Sequence, residues 1–368
     1  MSSHLLPRLF PVPRLLAMDG GGIDISEHTI KYFSFDVLTK RREVARFGEV
    51  PLPSGAVVDG DIRNKEALVR ALSQVRERCG FTFTYASLPE QKGYLFDTVS
   101  TVDPSVPLSR SVEVALSEQV PLAPAEVVFD CEVVSAESGA TTRSVVVTAF
   151  PETIAQQYTD ALRGAGFSPL SFELEPQAAL RAILPRTMRG ACIIVDLGLS
   201  ATTLSVVQND AVRFTTSIAG SETLDNALFD SLKGKEEGRG DAAWISAELS
   251  RLKYEEGLAE DSSIVHPCLG YAKGVTAVLD RVSVYWQLRI AHGDPLLPIS
   301  SIVLYGGNAL MRGFVEHVAR SMHVPCRVAD LHPALGGGGI IPPIHKNDSL
   351  RYATVIGLAL RAAAHNSL

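Results

Sequence analysis

The sequence predicts a duplicated α/β fold, each half opening on a β-hairpin and continuing through mixed sheet and helix. Two observations carry this. Two stretches repeat one order of strand, carboxylate, small polar turn and strand. They are Gly22-Ile-Asp24-Ile-Ser26-Glu-His-Thr29-Ile-Lys31-Tyr-Phe-Ser-Phe35 and Ile193-Ile-Val-Asp196-Leu-Gly198-Leu-Ser200-Ala-Thr202-Thr203-Leu-Ser-Val-Val207. The 368 residues also exceed one ordinary core, while 46% hydrophobic and 20% charged residues suit a folded globular chain.

The elements follow in order. Around the first hairpin Phe33, Phe35 and Val37 alternate with polar neighbours, as strands do. Asn64 to Cys79 is an amphipathic helix, with Leu68, Val69, Leu72 and Val75 on one face, and Phe81 to Leu88 is a strand. Residues 90–149 change texture and form a small inserted α+β subdomain. Its strands are Tyr94 to Val102, Val127 to Val134 and Val145 to Ala149, with a helix at Ser109 to Gln119 and a polar loop at Ser135 to Thr142. A helix from Pro151 to Ala165 stops at Gly166, a strand runs from Leu170 to Leu174, and a helix opens at Glu175-Pro176, where an early proline belongs.

The second half repeats the plan from Ala191. A strand at Ala211 to Ser217 is followed by a helix at Ser221 to Leu232 and an exposed loop at Lys233 to Asp241. Helices at Ala242 to Gly257 and Tyr271 to Ala291 lead to the strand Ser301 to Tyr305. That strand enters Gly306-Gly307-Asn308 and then a helix to Met322; Leu350 to Ala363 is the last helix. The expected division is an N-terminal arm (1–15), a first subdomain (16–89 and 150–190), the insertion (90–149), a second subdomain (191–225 and 299–368) and a helical subdomain completing a nucleotide cleft (226–298).

Composition excludes several functions. A net charge of -7 with scattered Lys and Arg argues against nucleic-acid binding. Five dispersed cysteines without a Cys-x-x-Cys pair suit a reducing compartment. No apolar run reaches the ~20 residues of a membrane span, and the proline-broken start lacks a signal peptide's central segment, so a cytoplasmic protein is expected. Gly336 to Gly339 lacks the following Lys-Ser/Thr of a phosphate loop and is expected to be a surface loop. His28 lies at the first turn, and the histidines lack zinc spacing.

A hairpin tip with backbone N–H groups and hydroxyls, preceded by a carboxylate, suits a phosphate and its metal ion. Paired glycines after a strand allow close backbone approach to a ligand, and a helix starting there would add N–H donors. Two such hairpins facing each other would clamp a nucleotide between two domains.

Five ordered segments resemble the actin-like (ribonuclease H-like) ATPase superfamily, in which two lobes flank a nucleotide cleft. They are the two hairpins, the helix after Glu175-Pro176, Tyr305-Gly306-Gly307-Asn308-Ala-Leu310, and Ala353-Thr-Val-Ile-Gly357-Leu-Ala-Leu-Arg361. Within the superfamily the order is most similar to the PilM family of type IV pilus assembly proteins, relatives of the division protein FtsA. The likeness runs from about Gly22 to Arg361, and Ser117 to Leu122 with Glu126 to Asp130 resembles that family's small subdomain.

The resemblance implies ATP and Mg²⁺ as cofactors. It places Asp24 and Asp196 at the metal, and Ser26, Thr29, Gly198, Ser200, Thr202 and Thr203 at the phosphates. Gly306, Gly307, Asn308 and Met311 fall in the adenosine pocket, Lys253 on a helix touching the nucleoside, and Glu175 and Gln177 at the attacking water. It further implies a cytoplasmic scaffold, at most a slow ATPase. That scaffold docks the N-terminal tail of an inner-membrane PilN-like partner in a groove of the first half and its insertion, and so sits peripherally at the membrane alongside other assembly components.

Two departures stand out: Ser26 replaces a turn glycine, with Glu27 beside it, and Ser250 stands where relatives carry Glu. Alternatives are a filament-forming actin homologue, an FtsA-like protein, a pseudo-ATPase and a sugar kinase. The tail Ala362-Ala-Ala-His-Asn-Ser-Leu368 carries no basic amphipathic segment, against the FtsA-like reading. The insertion is short for a kinase's substrate domain.

Overall fold

The computed structural model describes residues 19–36, 43–101, 107–135, 142–184, 190–233, 242–292, 296–336 and 342–365. The expected arm 1–15, the loop 234–241, the tip 136–141 and Gly337 to Gly339 lie outside the described residues. Two compact units are present: residues 1–185 with 331–368, and residues 186–330.

The first unit is built on β1 (Gly20–Ile25), β2 (Thr29–Phe35) and β3 (Val44–Pro51), an antiparallel meander. A two-strand hairpin, β4 (Val57–Val58) and β5 (Asp61–Ile62), leads to helix α1 (Lys65–Cys79). The Asn64 side chain accepts the Ala67 N–H at 3.0 Å to start α1, and Gly80 ends it at φ 73°. Strand β6 (Phe83–Leu88) then pairs parallel to β1.

The insertion is a three-stranded antiparallel sheet of β7 (Tyr94–Thr101), β8 (Val127–Ser135) and β9 (Thr142–Pro151), in the order β7-β9-β8. Helix α2 (Glu113–Gln119) covers it through Leu116, and Val112, Val145, Val147 and Ala149 share that small core. Helix α3 (Glu152–Gly164) returns the chain to strand β10 (Ser168–Leu174), parallel to β6, and helix α4 (Glu175–Ile183) follows.

The second unit repeats the first. Strands β11 (Ala191–Leu197), β12 (Ala201–Gln208) and β13 (Ala211–Ala219) form the same antiparallel meander. Helices α5 (Glu222–Lys233), α6 (Ala242–Arg251) and α7 (Val265–Ala291) precede β14 (Ile299–Tyr305), which pairs parallel to β11. Helix α8 (Phe314–Met322) joins it to β15 (Cys326–Val328). The sheet orders β10-β6-β1-β2-β3 and β13-β12-β11-β14-β15 are one topology used twice. The expected duplication is present, and the inner strands β1, β6 and β11 read as near-continuous buried runs, as parallel neighbours require.

One assignment changes. The sequence places 299–368 in the second subdomain, whereas residues 331–368 fall in the first unit. Helix α9 (Ala353–His365) packs on β1, β2, β6 and α4. The contact is tight because it is made by glycines. A Cβ on Gly357 would lie 1.8 Å from the Ala178 carbonyl oxygen, and one on Gly22 would lie 2.5 Å from that of Val355.

Candidate functional site

The first hairpin places Asp24 opposite Lys31 across β1 and β2. The buried Asp24 carboxylate accepts the Ser87 hydroxyl at 2.7 Å and faces the Lys31 ammonium at 4.0 Å. Lys31 is a charged partner that motif reading passed over, although the hairpin register points to it. Ser26 is turned inward: its hydroxyl donates to the Thr29 carbonyl at 2.9 Å and accepts the Thr29 N–H at 3.2 Å. Glu27 accepts the Asp59 N–H at 2.6 Å, which ties the tip to the β4–β5 turn. His28 is half-buried, and its Nε2 is enclosed with no hydrogen-bond partner among the described residues.

Carboxylates gather on this side of the first unit. Burial raises the Tyr158 phenol, and Glu175, Asp61, Glu27 and Asp24 raise it further; its hydroxyl donates to the Gly60 carbonyl. Glu175 is the half-buried first residue of α4. Gln177 is committed elsewhere. Its Oε1 accepts the Leu174 N–H at 3.2 Å, and its Nε2 donates to Thr148 on β9 at 2.9 Å. The first bond caps α4 and the second ties its start to β9.

The second hairpin is locked more firmly. The Gly198, Leu199 and Ser200 carbonyls accept the N–H groups of Ser221, Glu222 and Gly220, so the tip meets the first turn of α5. A Cβ on Gly198 would lie 2.5 Å from the Ala201 carbonyl oxygen. Thr202 and Thr203, expected at the phosphates, lie on β12 and are buried. Thr202 bonds the Tyr271 hydroxyl at 2.8 Å and Thr203 the Ser217 hydroxyl at 2.8 Å. Burial pushes the Tyr271 phenol up to about 12; the Thr202 bond opposes this, while Asp196 and Asp225 add to it.

Gly306 sits at φ 91°, where a Cβ would press on the Asp196 Oδ1 at 2.3 Å. Only glycine lets the β14 end pass that carboxylate. The Gly307 Cβ position faces open space, with no heavy atom within 4 Å. No helix begins here, contrary to the sequence expectation: α8 starts at Phe314. Residues 306–313 are turns whose N–H groups bond Leu197, Gly306, Asn308 and Lys253 carbonyls. Met311 is buried beneath them.

Lys253 lies on a π-helical turn, Leu252–Glu256, the kind of irregularity often kept where side chains must be aimed. Its buried ammonium donates to Asp225 Oδ1 and Oδ2 at 3.0 and 3.1 Å and to Asn308 Oδ1 at 2.9 Å. Asn308 Nδ2 donates to Ser221 at 2.7 Å and to the Leu197 carbonyl at 3.3 Å. The Tyr254 hydroxyl donates to the Gly307 carbonyl at 2.7 Å. Asp225 and Tyr254 belong to this constellation and were missed from sequence, because no motif spacing joins α5 to the π-turn.

These residues fit a nucleotide in kind, with an open glycine face beside a polar network. For a divalent cation, Asp196 is half-buried and Asp24 already has two partners. Among the described residues no group of three or more His, Cys, Asp or Glu is placed to hold a metal. Mg²⁺ is commonly held by one or two carboxylates together with phosphate oxygens and water, so either carboxylate, taken within its own unit, would hold it only together with a phosphate.

Residues 22–363 match the family model described as type IV pilus assembly protein PilM. The chain belongs to the PilM family. A solved PilM–PilN type IV pilus biogenesis complex matches at a TM-score of 0.76 and 18% identity, over 94% of this chain and 99% of that one. MreB5 of Spiroplasma citri, solved with ADP, matches at 0.54 and 11% identity over 94% and 97%. EutJ, an ethanolamine utilization protein from Carboxydothermus hydrogenoformans, matches at 0.50 and 16% over 92% and 88%. At these identities the likeness establishes the actin-like fold. Among the described residues no helix is long and apolar enough to cross a membrane.

Proposed function

We propose that this PilM-family chain is a nucleotide-binding scaffold that takes the extended N-terminal tail of a PilN-like partner along the open edge of β8. The observation that carries the proposal is a groove of about 540 Å³ within the first unit. Consecutive β8 residues Val128 to Glu132 form one wall, while alternate β9 residues Val146, Thr148 and Phe150 form the other. Phe172 of β10 and Gln177 and Arg181 of α4 close the floor. Strand β8 is an edge strand, paired among the described residues with β9 alone, so an added strand could pair with its outer backbone once the Cys131 N–H, which donates to the Asp130 carboxylate at 2.8 Å, is released. Main-chain pairing would supply affinity, and the mixed walls, apolar at Val128, Phe129, Val146 and Phe150 and charged at Asp130 and Glu132, would select alternate side chains of the tail. Docking on such a membrane-anchored tail would hold the scaffold at the membrane.

ATP with Mg²⁺ is the ligand we assign to the nucleotide site, with the base beside Gly307 and phosphates at the Asp196 hairpin. The MreB5 relative was solved with ADP, which supports this class of ligand. The engagement of both Gln177 amide atoms favours a scaffold over a fast ATPase.

The docking test is a calorimetric titration with a synthetic peptide of the partner's N-terminal tail. Val128 is an exposed groove residue and Val99 an exposed residue on the opposite edge strand β7. Val128→Arg should weaken binding at least about tenfold, the cost of a displaced apolar contact and a buried charge. Val99→Arg should leave it unchanged. Equal effects of the two variants, or none, would remove the groove as the docking site.

A further inference from the structure

Lys253 has three ammonium protons and three acceptors within 3.1 Å, two on Asp225 and one on Asn308. Both Asn308 amide protons are also used, by Ser221 and Leu197. Two residues expected to meet the nucleoside are therefore spent on each other. Asp225 differs from them. Each carboxylate oxygen has two acceptor sites, of which the lysine takes one, and its side chain is 22% exposed against 9% for Lys253. It stands in the first turn of α5, within the network that also fixes Asn308 beside the open face of Gly307.

The chemistry of the ligand group that fits follows from charge. The Asp225–Lys253 pair is neutral and its ammonium is saturated, so it offers nothing to a phosphate. It offers two carboxylate acceptors, which match two neighbouring hydroxyl donors. We infer that Asp225 reads the ribose 2′- and 3′-hydroxyls of the nucleotide, and that Lys253 is the positioning residue that aims it. The inference rests on the nucleotide reading above.

The experiment is calorimetric titration of ATP, 2′-deoxy-ATP and 3′-deoxy-ATP into the full chain and its Asp225→Asn and Asp225→Ala variants, with thermal melting as the control for folding. The wild type should prefer ATP over each deoxynucleotide by about tenfold, the worth of one hydrogen bond to a charged acceptor. In Asp225→Ala that ratio should fall to within about twofold, because ATP loses two hydroxyl bonds and each deoxynucleotide the one it kept, so ATP weakens about tenfold more than either. Uniform weakening of all three ligands at a preserved ratio would overturn the inference, leaving Asp225 a support for Lys253. So would a wild type indifferent to the missing hydroxyls. A wild type that binds none of the three would overturn the nucleotide reading itself, and this inference with it.

Discussion

Ser26, at the tip of the first hairpin, and Gly306, at the end of β14, hold their turns for opposite reasons. The Ser26 hydroxyl makes two hydrogen bonds to the Thr29 backbone, and its φ is not among the positive values of the chain. A glycine in its place would therefore gain no conformational freedom that the turn needs. Ser26→Gly should destabilise the protein by about 1–2 kcal/mol, from two lost hydrogen bonds and a more flexible unfolded chain. Chemical denaturation measures this, and an unchanged midpoint would show that the hydroxyl contributes nothing. Gly306, by contrast, has no substitute at φ 91° against Asp196. Sequence displayed the residue types at both turns but not their backbone conformations. Nor did it display that Thr202 of β12 bonds Tyr271 of α7, 69 residues away.

At the level of elements, strands and helices were legible wherever a period persisted, as in α1 with its buried Leu68, Leu72 and Val75. The stretch 306–313 was not. Its apolar residues continue the α8 pattern, yet its N–H groups are claimed by β11 and the π-turn before a helix can form. One buried carboxylate adds a polar tie to the join of β10, α4 and α9 that the glycine contacts make close. Glu173 accepts Arg181 at 3.0 Å and also binds Arg361, while Arg181 donates to the Gly357 carbonyl. Glu173→Gln would leave two guanidinium groups crowded around a neutral amide. Both arginines are partly exposed, which reduces the cost below that of a fully buried pair, so about 2 kcal/mol is expected. Urea unfolding should show it, and adding Arg361→Gln should cost less than the sum of the single changes, because the second arginine then has no rival.

The whole molecule shows its duplication in the two five-stranded sheets, and that much the paired hairpins foretold. Which sheet the last helix covers was hidden, since an apolar helix face fits either one. The two units consequently differ as chains. All five strands of the second unit lie between Ala191 and Val328, a continuous segment with its own buried face. The first unit needs α9 from the far end, where Val355, Ile356, Leu358 and Leu360 are buried. Four such side chains contribute on the order of 8 kcal/mol, comparable to the whole stability of an ordinary domain. A fragment of residues 186–330 should therefore melt cooperatively by circular dichroism. A fragment of residues 1–185 should not, and should regain a transition when 331–368 is fused to it through a flexible linker. A cooperative melt of 1–185 alone would mean that β1, β2 and β6 find other cover, and that α9 docks on a unit already folded.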